Sequence, residues 1–240
     1  MKINVMATGS SGNCYSLEHG DDCILLDAGV SIDTIYKNLG DKFQHLKGVL
    51  LSHEHADHSK GIPKLLKQFV NVLCTKETAE ALSIPLNNIC LTMVSHGNHY
   101  SLGNWIIQCF ALEHDTEQNM GFLIQYAGED DYVAYITDTA FSKYKLPPLT
   151  DLIVECSFTD EKLKENYEDL EDRFVRLKTS HMSLKRLLKM LDSMDTRRLK
   201  TIVLVHLSDL NSDAEVMKSE VEKATGAKVW IADKGVEIEL

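Results

Sequence analysis

The chain has 240 residues, of which 44% are hydrophobic and 25% are charged, as in ordinary globular proteins. No apolar run reaches the roughly 18–20 residues of a membrane span, which excludes an integral helical membrane protein. The formal net charge of −11 argues against a long basic groove for nucleic acid, although bound cations or a local cluster of lysine and arginine could offset it. Repeats and linkers are missing, and we predict a single domain over 1–240.

The cysteines and the N-terminal segment indicate a cytoplasmic protein. The first residues turn polar too early for a signal peptide and are typical of a first strand. Six cysteines are spread along the chain, mostly in apolar runs, without a Cys-x-x-Cys pair, a pattern typical of buried free thiols under reducing conditions. We therefore expect a cytoplasmic location and no contact with a membrane.

The first part of the chain predicts short strands joined by turns. Two helices interrupt them, one at 31–39 with Ser31 as its N-cap and Gly40 at its end, and one at 59–69. The strands are predicted at 2–7, 13–18, 22–27, 48–51, 90–94, 105–112, 120–126 and 132–137.

The second part is richer in helical patterns. Residues 160–178 are charged and helix-prone, and 183–194 carry leucines at the spacing of an amphipathic helix. A capping-box pattern beginning at Ser212 opens a further helix, which Gly226 ends. Further strands are predicted at 201–205, 229–232 and 236–240. Because both halves contain strands and helices, we expect two sheets packed face to face with helices outside.

The strongest chemical signal follows a short apolar strand. Three imidazoles and a carboxylate, those of His53, His55, Asp57 and His58, fall within six residues. Such ligands suit Zn²⁺ and other divalent transition ions. On a loop, the first two histidines can face one ion while Asp57 and His58 reach another. The alternative is a chance histidine-rich loop, which the spacing and the further histidines downstream disfavour.

The spacing His-x-His-x-Asp-His resembles the hallmark motif of the metallo-β-lactamase superfamily, whose fold is an α/β, four-layer αββα sandwich. Further motifs match by position over nearly the whole chain. The resemblance implies two metal ions, a carboxylate that bridges them and a carboxylate that supports the histidine loop from behind. It assigns the first ion to His53, His55 and His114, the second to Asp57, His58 and His206, the bridge to Asp138 and the support to Asp27.

A site with two ions implies a hydrolase. Two ions roughly 3.5–4 Å apart lower the pKa of a shared water and clamp the attacking and leaving oxygens, so the expected nucleophile is a metal-bridging hydroxide. Asp57 is therefore expected to be essential for catalysis. The imidazole-rich set favours Zn²⁺, while the carboxylates also permit Mn²⁺.

Two segments near the second ion are similar to those of RNase Z-like nucleases. The ending His206-Leu207-Ser208 is similar to their His-x-Ser sequence, which makes Ser208 a candidate residue beside the substrate. His181 precedes a predicted helix and resembles the additional histidine that contacts the scissile phosphate in those enzymes and can protonate the leaving oxygen. The alternative for His181 is a surface or capping role.

The opening run from Gly9 to Cys14 is most similar to the YycJ/WalJ group of bacterial exonucleases of this fold. The position of Glu155, after its strand, is also similar. Ser10, Ser11 and Asn13 either line the mouth of the site or only form a tight turn, and the sequence does not separate the two.

The resemblance implies a two-metal phosphodiesterase, exonuclease-like, with DNA or RNA as substrate. The negative net charge and the lack of an added nucleic-acid-binding domain favour an alternative, a phosphodiesterase of small or cyclic nucleotides. Hydrolysis of thioesters or lactams is a third reading, which His181 disfavours because those reactions need no histidine on a phosphate. Small related enzymes are often homodimers, and the resemblance implies the same assembly here.

Overall fold

A computed structural model describes residues 1–167 and 171–240 of the chain. The strands of this part of the chain are β1 (Lys2–Ala7), β2 (Cys14–His19), β3 (Asp22–Leu26), β4 (Leu46–Leu50), β5 (Val72–Cys74), β6 (Leu91–Met93), β7 (His99–Leu102), β8 (Trp105–Leu112), β9 (Asn119–Tyr126), β10 (Val133–Ile136), β11 (Asp151–Glu155), β12 (Thr201–Val205), β13 (Lys228–Ile231) and β14 (Glu237–Glu239). The α-helices of the same part are α1 (Ile32–Leu39), α2 (Ala56–Ser59), α3 (Ile62–Lys67), α4 (Lys76–Ala81), α5 (Asp160–Tyr167), α6 (Glu171–Ser180), α7 (Leu184–Asp192) and α8 (Ala214–Thr225). A 3-10 helix, Gly40–His45, follows α1.

The strands form two mixed sheets of seven strands each. The first has the order β14-β1-β2-β3-β4-β5-β6, and the second has the order β13-β12-β11-β10-β9-β8-β7. Strands β3 to β6 are parallel, and so are β10 to β13. Because parallel strands end at the same edge of a sheet, the residues that follow them meet at one edge of the sandwich.

Three apolar clusters hold four layers together. The cluster between the sheets contains Tyr15, Trp105, Phe122 and Tyr135, each fully buried. A second lies outside the first sheet and includes residues of α1, α3 and α4, and a third lies outside the second sheet and includes residues of α7 and α8. The αββα sandwich predicted from the sequence is therefore confirmed.

Local capping sets several helix ends as predicted. Ser31 Oγ accepts a hydrogen bond from the backbone N–H of Thr34 at 3.2 Å, and α1 ends before Gly40. Helix α8 ends at Gly226, whose φ of 72° is the left-handed conformation that favours glycine. At the other end of α8 the prediction is wrong by one residue, because Asp213 rather than Ser212 is the N-cap.

The helix predicted at 59–69 is confirmed over a shorter range, as α3, and a separate helical turn, α2, precedes it. Helix α2 ends at Ser59 and α3 begins at Ile62, so Asp57 and His58 lie on a helical turn rather than a loop. The break falls at Gly61, whose N–H donates to the carbonyl of Ala28 at 2.7 Å. A Cβ on Gly61 would lie 2.8 Å from another carbonyl oxygen, so the close approach requires glycine.

The sequence does not predict several short elements. Strand β5, helix α4 and strand β7 are too short to give a recognisable period in the sequence. The predicted helical segment at 160–178 forms α5 and α6, and its residues 168–170 lie outside the described residues.

All six cysteines are buried free thiols, as predicted. Among the described residues, helices long and apolar enough to cross a membrane are absent.

Candidate metal centre

Polar side chains cluster at one edge of the sandwich, each at or just beyond the end of a buried strand. Asp27 follows β3, and the segment from His53 to His58 follows β4. The second sheet contributes the residues that follow or end β8, β10, β11 and β12, namely His114, Asp138, Glu155 and His206. The centre therefore draws on both sheets.

Three of these residues have left-handed backbones although none is glycine. The φ angles are 57° at Asp27, 46° at Asp138 and 55° at His206. Such conformations cost free energy, of order 1–3 kcal/mol each, and persist only where the surroundings impose them. Each allows a strand to end abruptly and to turn its last polar side chain into the centre.

The first cluster, called site one below, contains His53, His55, His114 and Asp138. One ligand atom from each side chain lies within 4.8 Å of the others. His114 Nε2 is 3.4 Å from His55 Nδ1 and 3.7 Å from Asp138 Oδ2, and His53 Nε2 is 3.9 Å from the same oxygen. These separations leave room for a cation between the atoms.

The second cluster, site two, contains Asp57, His58, His206 and again Asp138, also within 4.8 Å. Asp57 Oδ2 is 3.7 Å from His58 Nε2 and 3.5 Å from His206 Nε2. Asp138 Oδ1 is 3.3 Å from His58 Nε2. Asp138 thus turns one oxygen to each site, as a bridging carboxylate would.

The residues present fit two metal ions. His53 Nε2 and His206 Nε2 are buried and have no hydrogen-bond partner among the described residues, which is costly for a polar atom unless it binds something else. Imidazole nitrogens and carboxylate oxygens are ligands that transition ions prefer. The buried histidine and aspartate clusters therefore suit a dinuclear metal site.

The charges of the protein's own side chains also favour a cation at this centre. Burial would lower the pKa of His58, but the carboxylates of Asp138 and Asp27 outweigh it and raise that pKa to about 10. Burial would raise the pKa of Asp138, but the neighbouring histidines hold it well below its usual range. The Asp138 carboxylate is thus held in its charged form, which a cation can neutralise.

Asp27 contacts His58 on the side of the ring away from site two. Its fully buried carboxylate accepts hydrogen bonds from the Ser52 N–H at 2.8 Å and from the Tyr135 hydroxyl at 2.7 Å. Oδ2 also lies 2.7 Å from His58 Nδ1. With Nδ1 bound to the carboxylate, Nε2 of His58 is free to face site two.

The glycine- and serine-rich turn after β1, residues 9–13, packs against the segment from His53 to His58. Asn13 is fully buried, and its Oδ1 accepts from the Gly9 N–H at 3.0 Å, which closes a tight turn. Its backbone N–H donates to the Asp57 carbonyl at 2.6 Å. Ser10 and Ser11 are both exposed at the tip of the turn.

A third cluster links His206 of site two to His181 through Glu155, a contact that the sequence does not predict. Glu155 Oε1 is 2.6 Å from His181 Nδ1 and 3.3 Å from His206 Nδ1. Its Oε2 accepts from the backbone N–H groups of Thr139 and Met182 at 2.9 and 3.2 Å. Burial alone would lower the pKa of His181, but Glu155 outweighs it and raises that pKa.

A cavity of about 240 Å³ opens beside this pair. His181 and His206 form the wall next to site two, and Ser10 and Ser208 lie on the lining as well. Ser208 Oγ accepts from the side chain of Asn211 at 3.1 Å. Ser11 and Asn13 are not among the residues that line this cavity, so of the turn only Ser10 reaches it.

A family comparison assigns the chain. The sequence profile described as beta-lactamase superfamily domain matches residues 23–207, which include every residue of sites one and two. The chain belongs to the metallo-β-lactamase superfamily. It is a metal-dependent hydrolase of that fold, with a metal site of histidine and aspartate side chains.

Individual members of the superfamily are similar at low identity. Exodeoxyribonuclease YycJ of Bacillus anthracis is 23% identical over 99% of this chain and 94% of its own length. The metallo-β-lactamase fold protein YhfI from Bacillus subtilis has a TM-score of 0.76 at 17% identity, with 99% of this chain and 98% of that chain covered. Zn²⁺-bound PqqB from Methylobacterium extorquens has a TM-score of 0.72 at 13% identity and covers all of both chains.

Sequence reasoning missed the role of Glu155, though a signal for it exists. Glu155 ends a strand of buried apolar residues, as Asp27, Asp138 and His206 follow such strands. A charged residue at the end of a buried parallel strand is itself a marker of a site at that edge. Asp115 and Arg176 form an ion pair next to site one, but the sequence gives no comparable signal for this pair.

Proposed function

We propose that this hydrolase is a two-metal phosphodiesterase, exonuclease-like, that acts on DNA or RNA. The observation that carries the proposal is the His181–Glu155 pair beside the two metal clusters. Hydrolysis of a phosphodiester expels an alkoxide, which needs a proton, and a histidine held by a carboxylate next to the reacting centre can supply it.

The predicted ligands have separate roles in the proposal. His53, His55 and His114 would hold one ion, Asp57, His58 and His206 would hold the other, and Asp138 would contact both. The ions, when bound, supply Lewis acidity and activate water at neutral pH. Zn²⁺ is the expected metal, because five imidazoles dominate the set, and the carboxylates make Mn²⁺ the second choice.

The roles of His181 and Glu155 follow from their contact. Nδ1 of His181 is bound to Glu155, so Nε2 remains to donate a proton to a leaving oxygen in the cavity. Glu155 fixes the ring and favours its protonated form. Glu155 is a positioning residue in this scheme, and His181 is the catalytic acid. Ser10 and Ser208 line this cavity, and we propose that they contact the substrate.

The first test of the proposal is metal-dependent hydrolysis of bis(p-nitrophenyl) phosphate with Zn²⁺ or Mn²⁺. We expect the Asp57→Ala variant to fall to background, because site two loses a ligand, while Asp21→Ala, a change at an exposed aspartate, keeps full activity. Normal turnover by Asp57→Ala would contradict the two-metal assignment.

A pair of substrates isolates the role of His181. We expect His181→Ala to slow cleavage of a DNA oligonucleotide by about 100-fold or more, the usual contribution of a general acid. Hydrolysis of bis(p-nitrophenyl) phosphate should change little, because nitrophenolate leaves without a proton. Glu155→Gln should also slow oligonucleotide cleavage, but because Glu155 Oε1 lies 3.3 Å from His206 Nδ1 as well, part of its loss should appear on bis(p-nitrophenyl) phosphate. Equal losses of His181→Ala on both substrates would argue against the acid role.

A second candidate is a phosphodiesterase of small or cyclic nucleotides. The net charge of −11 favours it, because a polynucleotide needs cationic contacts along its backbone and a mononucleotide does not. Single-stranded DNA, duplex DNA, RNA and cyclic mononucleotides, compared by kcat/KM with the same metal, would decide between the two. A thioester and a lactam belong in the same panel, and turnover confined to them would overturn both candidates.

A further inference from the structure

Helix α6 ends beside site one, and two contacts join them. His114 Nδ1 lies 2.9 Å from the carbonyl oxygen of Ser180, the last residue of the helix. Because this nitrogen must donate the hydrogen bond, Nε2 of His114 keeps its lone pair toward site one. One turn earlier on the helix, Arg176 Nε and Nη2 lie 3.1 and 3.0 Å from Asp115 Oδ2.

The other oxygen of Asp115 faces the predicted ligands. Oδ1 is 2.9 Å from His114 Nε2 and 3.8 Å from His55 Nε2. A carboxylate oxygen and an imidazole lone pair at this distance repel each other unless a positive charge lies near both. A cation at site one removes that conflict, and Arg176 provides charge on the opposite side of the carboxylate.

His181 follows helix α6 directly. Its backbone N–H donates to the carbonyl of Leu177 at 3.1 Å, which continues the helical pattern by one residue. The rings of His181 and His114 have their centroids 5.4 Å apart. A displacement of the helix end therefore moves both the backbone of His181 and the Ser180 carbonyl that binds His114.

We propose that Asp115 and Arg176 are positioning residues that tie helix α6 to site one, so that metal binding fixes the place of His181. The role of His181 rests on the proposed function, but the coupling between metal and helix does not. An ion pair that is largely exposed, as at Arg176, contributes little by itself. Its effect arises because it acts together with the His114–Ser180 hydrogen bond on one short helix.

Hydrogen exchange tests the coupling without reference to any substrate. The full chain is freed of metal, and amide exchange over 171–180 is compared with and without saturating Zn²⁺, with helix α8 as the internal reference. We expect Zn²⁺ to slow exchange over 171–180 in the wild type, and Arg176→Ala to lose about threefold of that protection, as suits a single exposed pair. Arg197→Ala, which breaks another exposed arginine–aspartate pair, should leave the protection unchanged.

Two results would overturn the proposal. One is faster exchange in Arg176→Ala by the same factor with and without Zn²⁺, which would make the pair a plain helix stabiliser. The other is unaltered protection in Arg176→Ala, which would show that the ion pair does not link metal binding to the helix; a raised KM would then indicate that Arg176 contacts the substrate directly. The expected kinetic effect on whichever phosphodiester the wild type cleaves is a lower kcat at unchanged KM, with partial rescue by Arg176→Lys. If the wild type cleaves none, the exchange experiment still decides the coupling.

Discussion

Asp27 shows how much of the centre depends on a residue outside the predicted ligand set. Its carboxylate is fully buried, accepts from the Ser52 backbone and the Tyr135 hydroxyl, and holds Nδ1 of His58. A carboxylate in this place fixes both the tautomer and the direction of the histidine, so its effect should appear in metal binding before it appears in catalysis.

We predict that Asp27→Asn weakens metal binding by about 10–100-fold, because the amide places a donor where the carboxylate only accepts. Titration of metal-free protein against a chromophoric chelator measures the change. Tyr135→Phe removes one donor to the same carboxylate and leaves the charge intact, so its affinity should fall far less. Equal affinities of Asp27→Asn and the wild type would show that His58 needs no such support.

The clustering of the predicted ligands could be expected from the sequence, because each follows an apolar strand and their order matches a known pattern. His53 to His58 form a local motif, and His114, Asp138 and His206 lie where three further strands end. Glu155 could be placed in the same way, but its partner His181 is 26 positions away on another element, and their contact depends on packing. The pairing of Asp115 with Arg176 depends on the same long-range packing.

At the scale of elements, the segment from His53 to His58 is held by close backbone contact with the segments that follow β1 and β3. A Cβ placed on Gly29 would lie 1.7 Å from the carbonyl oxygen of Asp57 and 2.7 Å from the backbone nitrogen of Asn13. The later start of the helix predicted at 59–69 has a similar cause, since Gly61 packs against the segment after β3. Helical periodicity alone does not reveal such tertiary contacts, so the sequence places the start of this helix too early.

We predict that Gly29→Ala destabilises the protein by about 3 kcal/mol, because the methyl group must push the Asp57 backbone away. Chemical denaturation of the metal-free protein measures the loss. Gly20→Ala is the matched control: its φ of 58° also strains alanine, but nothing lies within 4 Å of the new Cβ, so about 1 kcal/mol is expected. Similar losses in both variants would mean that the loop yields easily.

Strand β2 contains a buried carboxylate that links stability to pH. Glu18 accepts from Ser16 Oγ at 2.8 Å and pairs with Lys42 and Lys2. Burial raises the pKa of Glu18, but the hydrogen bonds from Lys42 and Ser16 and the charges of both lysines outweigh it, so the pKa is lowered. A carboxyl whose folded pKa is depressed stabilises the protein above its unfolded pKa and loses that effect as the pH falls.

We therefore predict that the wild type is more stable than Glu18→Gln by about 1 kcal/mol at pH 7. The difference should shrink on acidification below about pH 4.3, where most of the unfolded carboxyl groups are protonated. Thermal or denaturant unfolding of both proteins at pH 7 and pH 3.5 tests this. A difference that stays constant across the range would indicate that the effect is not electrostatic.

At the scale of the whole molecule, charge limits how a polynucleotide can bind. Lysine and arginine total 25 against 36 acidic residues, so contacts to many phosphates are unfavourable. If single-stranded DNA is the substrate, we predict that KM rises less than tenfold between 50 and 200 mM KCl, as for one or two phosphate contacts. A loss of about 1000-fold over that range would require a basic track along many phosphates.

The two-sheet origin of the centre has a mechanical consequence. The loop after β4 belongs to one sheet, while His114, Asp138 and His206 belong to the other. Ions bound between them would act as a cross-link across the open end of the sandwich, with ligands held in place only in the folded state. At a free metal concentration 1000 times the dissociation constant, such binding stabilises the fold by about 4 kcal/mol. Metal starvation would then shorten the lifetime of the protein in the presence of proteases, besides stopping its chemistry.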